Sequence, residues 1–201
     1  MKRFMTMFLI MLLIGIPSAG TAAQVDGPTI EGLVSAYARS YSYDQEAMSG
    51  IDILAITFET NDHAVAYVDE GYSELLALID ENPDVFGHLQ VDELEGFDTV
   101  GIRATNADED TDTKVSTILI VNDNHVFQIS VIDVELGAAE AKADEILEFI
   151  LDAEIQSDEV SFNQNGTSTG GVFDRMPTAE DDVIGDFTTV TDREAKAYEY
   201  S

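Results

Sequence analysis

Apolar and polar residues alternate along some stretches of this chain and recur every three to four positions along others, and the switches between the two periods outline its elements. Ile51 to Glu59 sets Ile51, Ile53, Ala55 and Thr57 against Asp52, Leu54, Ile56 and Phe58. Both sets are mostly apolar, which predicts a central strand covered on each side. The period then becomes helical from about His63 to Asp80, through Ala64, Tyr67, Val68, Leu75, Leu78 and Ile79. Asn61 or Asp62 is placed to cap that helix, and Asn82-Pro83 stops it.

Phe97 to Asn106 reads as a further strand, followed by a polar loop over Ala107 to Thr113. Val115 to Val121 and Val126 to Val134 read as two more. Asn122-Asp123-Asn124 between them tolerates positive φ, so the pair predicts a β-hairpin. Gly137 to Leu151 is a helix, with Ala139, Ala143, Ile146, Leu147, Ile150 and Leu151 inward and Glu140, Lys142, Asp144 and Glu148 toward water. Ahead of all these, Pro28 to Tyr37 spaces Ile30, Leu33, Val34 and Tyr37 as a short helix, and Ser40 to Gly50 reads as a loop. The order β-α-β-β-β-α predicts an α+β fold, a mostly antiparallel sheet with helices packed on it.

Both ends differ from this middle. Met1-Lys2-Arg3, the apolar run Phe4 to Ile16 and the small residues Pro17 to Ala23 have the layout of a secretory signal peptide, with cleavage expected after Ala23. No Cys follows the run to carry a lipid, so a lipoprotein is not expected. No later stretch is long and apolar enough to predict membrane insertion once the signal is removed. The expected destination is secreted, extracellular or periplasm-like. From Gln156 onward Ser, Asn, Gly and Thr accumulate, and the end is acidic. The expected organisation is a signal peptide at 1–23, an α+β domain at 24–155, and a linker with an acidic, flexible tail at 156–201. Val160-Ser161-Phe162 is the one candidate edge strand in that tail.

Composition narrows the partners. Nine basic residues stand against 40 acidic ones. Without Lys2 and Arg3 the mature chain keeps seven, for a formal charge of −33. Such a surface repels nucleic-acid phosphates and anionic lipid headgroups. It suits high salt, a basic protein partner, divalent cations, or simply strong solvation. The chain contains no cysteine, so disulfides, thiolate metal sites and thiol nucleophiles are excluded.

No catalytic signature accompanies the pattern. Glycine-rich phosphate loops, HExxH and GxSxG are all absent. His63, His88 and His125 lack metal-ligand spacing. Among 40 acidic residues some pair will always lie at a glycosidase separation, so paired carboxylates carry no signal. No cofactor is expected, with Ca²⁺ the one ion worth testing. Asp108, Asp110 and Asp112 alternate in the acidic loop, as oxygen ligands for a hard cation would. Thr113 and Leu119 stand where an EF-hand requires Gly and Glu, so the loop is not an EF-hand; a solvated acidic loop is the plain alternative. Asn165-Gly166-Thr167 is a glycosylation sequon. Tyr37, Tyr41 and Tyr43 form an aromatic cluster suited to an interface or to the rim of a core.

Three phrases together carry a resemblance: Phe58 to Ala66, the hairpin Thr117 to Val134 with the helix Ala138 to Ile150, and Val172-Phe173-Asp174-Arg175-Met176-Pro177-Thr178-Ala179-Glu180-Asp181. Residues 50–185 resemble a group of bacterial exported proteins in which a small α+β domain precedes an acidic Pro-Thr-x-Glu-Asp segment. The resemblance implies that architecture and no activity. Asp182-Val183-Ile184-Gly185 departs from the group, where a Pro often follows the acidic pair.

The expected function is a secreted, non-enzymatic α+β binding or envelope-associated domain. A Ca²⁺-binding structural or adhesion module centred on Asp108–Asp112 is one alternative. A small secreted hydrolase, its site assembled from residues distant in sequence, is the other.

Overall fold

The computed structural model describes residues 30–42, 50–94, 100–106, 113–157, 159–161, 168–178, 180–185 and 189–194. Its elements run β1 (Leu33–Ser42), β2 (Gly50–Phe58), α1 (Asn61–Glu81), α2 (Pro83–Phe86), β3 (Leu89–Glu93), β4 (Gly101–Asn106), β5 (Lys114–Asn122), β6 (His125–Asp133), α3 (Leu136–Asp152), a 3-10 turn (Gly171–Arg175) and β7 (Thr189–Glu194). The strands form one seven-stranded sheet in the order β3-β4-β5-β6-β2-β1-β7. Every neighbouring pair is antiparallel. The α+β class and the antiparallel sheet agree with the sequence.

Strict alternation on the central strands gives the sheet two apolar faces. Ile51, Ile53 and Ala55 of β2, Ile118 and Ile120 of β5, and Phe127, Ile129 and Val131 of β6 share one face with α3. The helix meets them with Ala139, Ala143, Ile146, Leu147 and Ile150, an i, i+4 set whose alanines permit close approach. Leu54, Ile56, Phe58, Leu119, Val121 and Val126 line the opposite face and meet Ala64 and Val68 of α1. The sheet is thus sandwiched between two helices, and each face buries its own core. The β5–β6 ladder closes at Asn122 opposite His125, and Asp123 takes φ 56° in the tight turn between them.

Four features differ from the sequence reading. Leu33–Ser42 is a strand, not the end of a helix. Its Tyr37, Arg39 and Tyr41 lie on the α3 face and its Ala36 and Ala38 on the α1 face, while Val34 is exposed. A charged residue at an inward position breaks the alternation that would have revealed the strand. The edge strand β3 was also hidden, because only Leu89 of its five residues is buried. The helix α1 takes its cap from Thr60, whose hydroxyl accepts from the His63 amide, and leaves Leu78 exposed. Of the candidate strand Val160-Ser161-Phe162, Ser161 makes an isolated bridge with Thr169, and Phe162 lies outside the described residues.

Described residues beyond the expected domain boundary at residue 155 also pack onto the sheet. Val172, Phe173, Met176 and Ile184 are buried in the core under α3, and β7 adds the last strand beside β1. Arg39 is the reason. Its side chain is fully buried at 0 % exposure. Its Nε donates to Asp192 Oδ1 at 2.6 Å and its Nη2 to Asp192 Oδ2 at 3.0 Å. Nη1 donates to the Met176 carbonyl at 2.8 Å and Nη2 to the Ser168 carbonyl at 2.7 Å. The guanidinium carbon lies 5.0 Å from the centroid of the Phe173 ring. A buried cation is tolerable only when its donors are satisfied, and the segment beyond residue 155 supplies the acceptors. Burial pushes the Tyr41 phenol far above the ordinary phenol range, with Arg39 partly opposing. The phenol therefore keeps its proton and donates it to the Pro177 carbonyl.

Candidate functional site

The sequence-predicted metal ligands Asp108, Asp110 and Asp112 lie outside the described residues, as do the signal segment, Tyr43 and Asn165. Among the described residues no group of His, Asp and Glu is placed to hold a metal ion. The histidines take separate roles. His63 packs its ring against Gly32 at the start of α1, and His125 pairs its Nδ1 with Thr57 Oγ1 at 3.1 Å. Tyr37 and Tyr41 face the core, Tyr37 against Phe173 at 5.3 Å between ring centroids.

A band of polar side chains crosses the α1 face of the sheet and forms the candidate site. Strand register aligns Ala104, Thr117, Ser130, Asp52 and Ser40 in one row, continued by Thr191 of β7. These positions alternate onto the same face as Leu54, Ile56, Leu119 and Val121. The next row is apolar except at one place. It runs Ile102, Leu119, Gln128, Leu54 and Ala38, so an amide stands where the pattern calls for an aliphatic residue.

These side chains bond mainly to one another. Ser40 donates to Asp52 Oδ1. Gln128 donates its amide to Ser130 Oγ at 3.1 Å, and Ser130 Oγ lies 3.1 Å from Thr117 Oγ1. Gln128 is 5 % exposed, yet its Oε1 is buried with no partner. A buried acceptor left unsatisfied costs about 1–3 kcal/mol. Asp52 and Ser40 are half-buried, while Thr191 is exposed, so the band runs from a covered end at β5 to an open one at β7.

Chemically the band offers hydroxyls, one amide and one carboxylate between aliphatic walls. That suits hydrogen bonding to a polar ligand. No lysine or histidine stands in these rows to act as a general base. The sequence pattern contained the cue: Gln128 and Ser130 occupy the same alternation as Val126, on a strand whose other residues are nearly all apolar.

No protein-family model matches the chain, and no curated protein matches it. Among solved structures it is similar to the extracellular domain of PknH from Mycobacterium tuberculosis, at 12 % identity and a TM-score of 0.35. The match covers 58 % of this chain and 66 % of that one. No helix among the described residues is long and apolar enough to cross a membrane.

Proposed function

We propose that this chain is an exported, non-enzymatic binding domain that takes a polar ligand on the band formed by Thr117, Ser130, Gln128, Asp52 and Ser40. One observation carries the reading: the Gln128 Oε1 is buried without a hydrogen-bond partner beside a connected hydroxyl network. A ligand N–H or O–H would remove that unsatisfied acceptor, a gain that water-exposed residues cannot offer. The Asp52 carboxylate adds a preference for neutral or positively charged ligands. Binding rather than turnover is the reading because the hydroxyls bond to each other, to Gln128 and to Asp52, and no histidine or lysine of these rows is aligned on them.

The test is a thermal-shift screen of the full chain against neutral sugars, amino acids and short peptides. A ligand should raise the melting temperature of the wild type, and Gln128→Leu should lose the shift. Any ligand found should be recovered chemically unchanged after long incubation. A shift that persists in both Gln128→Leu and Ser130→Val would place the ligand elsewhere, and conversion of the ligand would make the protein an enzyme.

A further inference from the structure

A second unsatisfied group lies on the opposite face of the sheet, at the end where the β5–β6 hairpin turns. Arg175 closes the 3-10 turn Gly171–Arg175, which is pinned in the α3-side core by Val172 and Phe173. Its side chain is 14 % exposed. Its Nε and Nη1 are buried with no hydrogen-bond partner. Its Nη2 stands 3.8 Å from Asp123 Oδ2, too far for a hydrogen bond.

This is unexpected in so acidic a chain. Arg39, Arg103 and Lys142 each touch a carboxylate, of Asp192, Asp144 and Glu145. The carboxylate next to Arg175 in sequence is engaged elsewhere. Asp174 accepts from the Gly170 amide at 2.8 Å and from the Gln156 and Ser157 amides at 2.9 and 3.3 Å. Asp123 is mostly exposed and held in a turn.

His125 follows two residues after Asp123, whose carboxylate stands 3.8 Å from this guanidinium. It alternates onto the same face as Phe127, its ring 6.2 Å from that residue's. Its Nδ1 is taken by Thr57, which leaves Nε2 for another partner. Burial holds its pKa below the ordinary value, and the Arg175 charge adds to that. A guanidinium with unfilled donors, an imidazole with one free nitrogen, and rigid anchors for both are what an oxyanion requires.

We propose that Arg175 and His125 form an oxyanion-binding site, for a phosphate or carboxylate group, at the hairpin end of the α3 face. The site is separate from the polar band, so either can fail without the other. The anion would fill the Arg175 donors and receive a hydrogen bond from His125.

The experiment titrates the full chain with inorganic phosphate and, separately, with acetate, each against sodium chloride at matched ionic strength. Histidine ring resonances and the melting temperature are read together. The expected result is a saturable shift of the His125 resonance and a melting-temperature rise beyond the chloride control. Phosphate alone giving both assigns a phosphoryl ligand, acetate alone a carboxylate ligand, and both a general oxyanion site. Arg175→Gln should weaken binding by about tenfold or more, the loss of charge-assisted bonds. Absence of any His125 shift with either anion in the wild type overturns the proposal, and needs no variant to fold. Equal binding by Arg175→Gln overturns it as well.

Discussion

Arg39 and Asp192 face each other across the β1–β7 ladder, 153 positions apart in sequence, and form a two-bond ion pair inside the protein. The pair joins the first strand to the last. Because Arg39 also binds the carbonyls of Met176 and Ser168, it ties the described residues 168–178, as well as β7, to the sheet. Removing one member of such a pair strands a buried charge. Asp192→Ala should therefore lower stability by roughly 3–5 kcal/mol, read as a fall in urea midpoint. The double variant Arg39→Met, Asp192→Ala should recover part of that loss, because no uncompensated charge then remains.

The His63 ring packs against the left-handed turn at Gly32. Gly32 has φ +71°, and a Cβ there would lie 2.1 Å from His63 Nδ1. Gly32→Ala should cost about 1–3 kcal/mol for the backbone conformation alone, with the clash added. In a His63→Ala background the clash disappears and only the backbone cost remains. A thermal melt of the two single variants and the double variant separates the contributions.

His125 should titrate below the ordinary histidine value of about 6.5, because burial and then Arg175 disfavour its charged form while Asp123 opposes them. With the folded pKa depressed, the unfolded chain binds more protons in the intervening range. The stability contribution of His125 is thus present above about pH 6.5 and is lost as pH falls through the lower folded value. An NMR titration reads the midpoint directly. Arg175→Met should move it upward, and an unchanged midpoint would separate the two groups.

Salt should stabilise the protein without distinguishing its cation. With 40 acidic and nine basic residues, self-repulsion is relieved by screening. Melts in NaCl and CaCl₂ at matched ionic strength should rise together. A further rise specific to Ca²⁺, abolished by Asp110→Ala, would instead assign a cation to the Asp108–Asp112 loop.

Much of this fold can be read from the chain, and the exceptions share a cause. β2, β5, β6, α1 and α3 each bury a full face or stripe, so burial wrote a strong period into their residues. β1 carries Arg39 at an inward position, and its meaning rests on a carboxylate and carbonyls from the far end of the chain. β3 is an edge with one buried residue, and its sequence resembles a loop. The acidic segment containing β7 looks unstructured by composition, because the apolar residues that anchor it are scattered across Val172, Phe173, Met176 and Ile184. Site chemistry was less legible still. Gln128 and Arg175 stand out only once their missing partners are visible, and a missing partner leaves no trace in a linear pattern.

The seventh strand also governs when the molecule can finish folding. A chain that emerges N-terminus first presents Arg39 long before residue 192 has followed it. Until then the sheet lacks its closing edge, and the guanidinium has no carboxylate to receive it. Losing β7 would therefore cost the sheet more than an edge, because it would leave the Arg39 charge buried without its carboxylate.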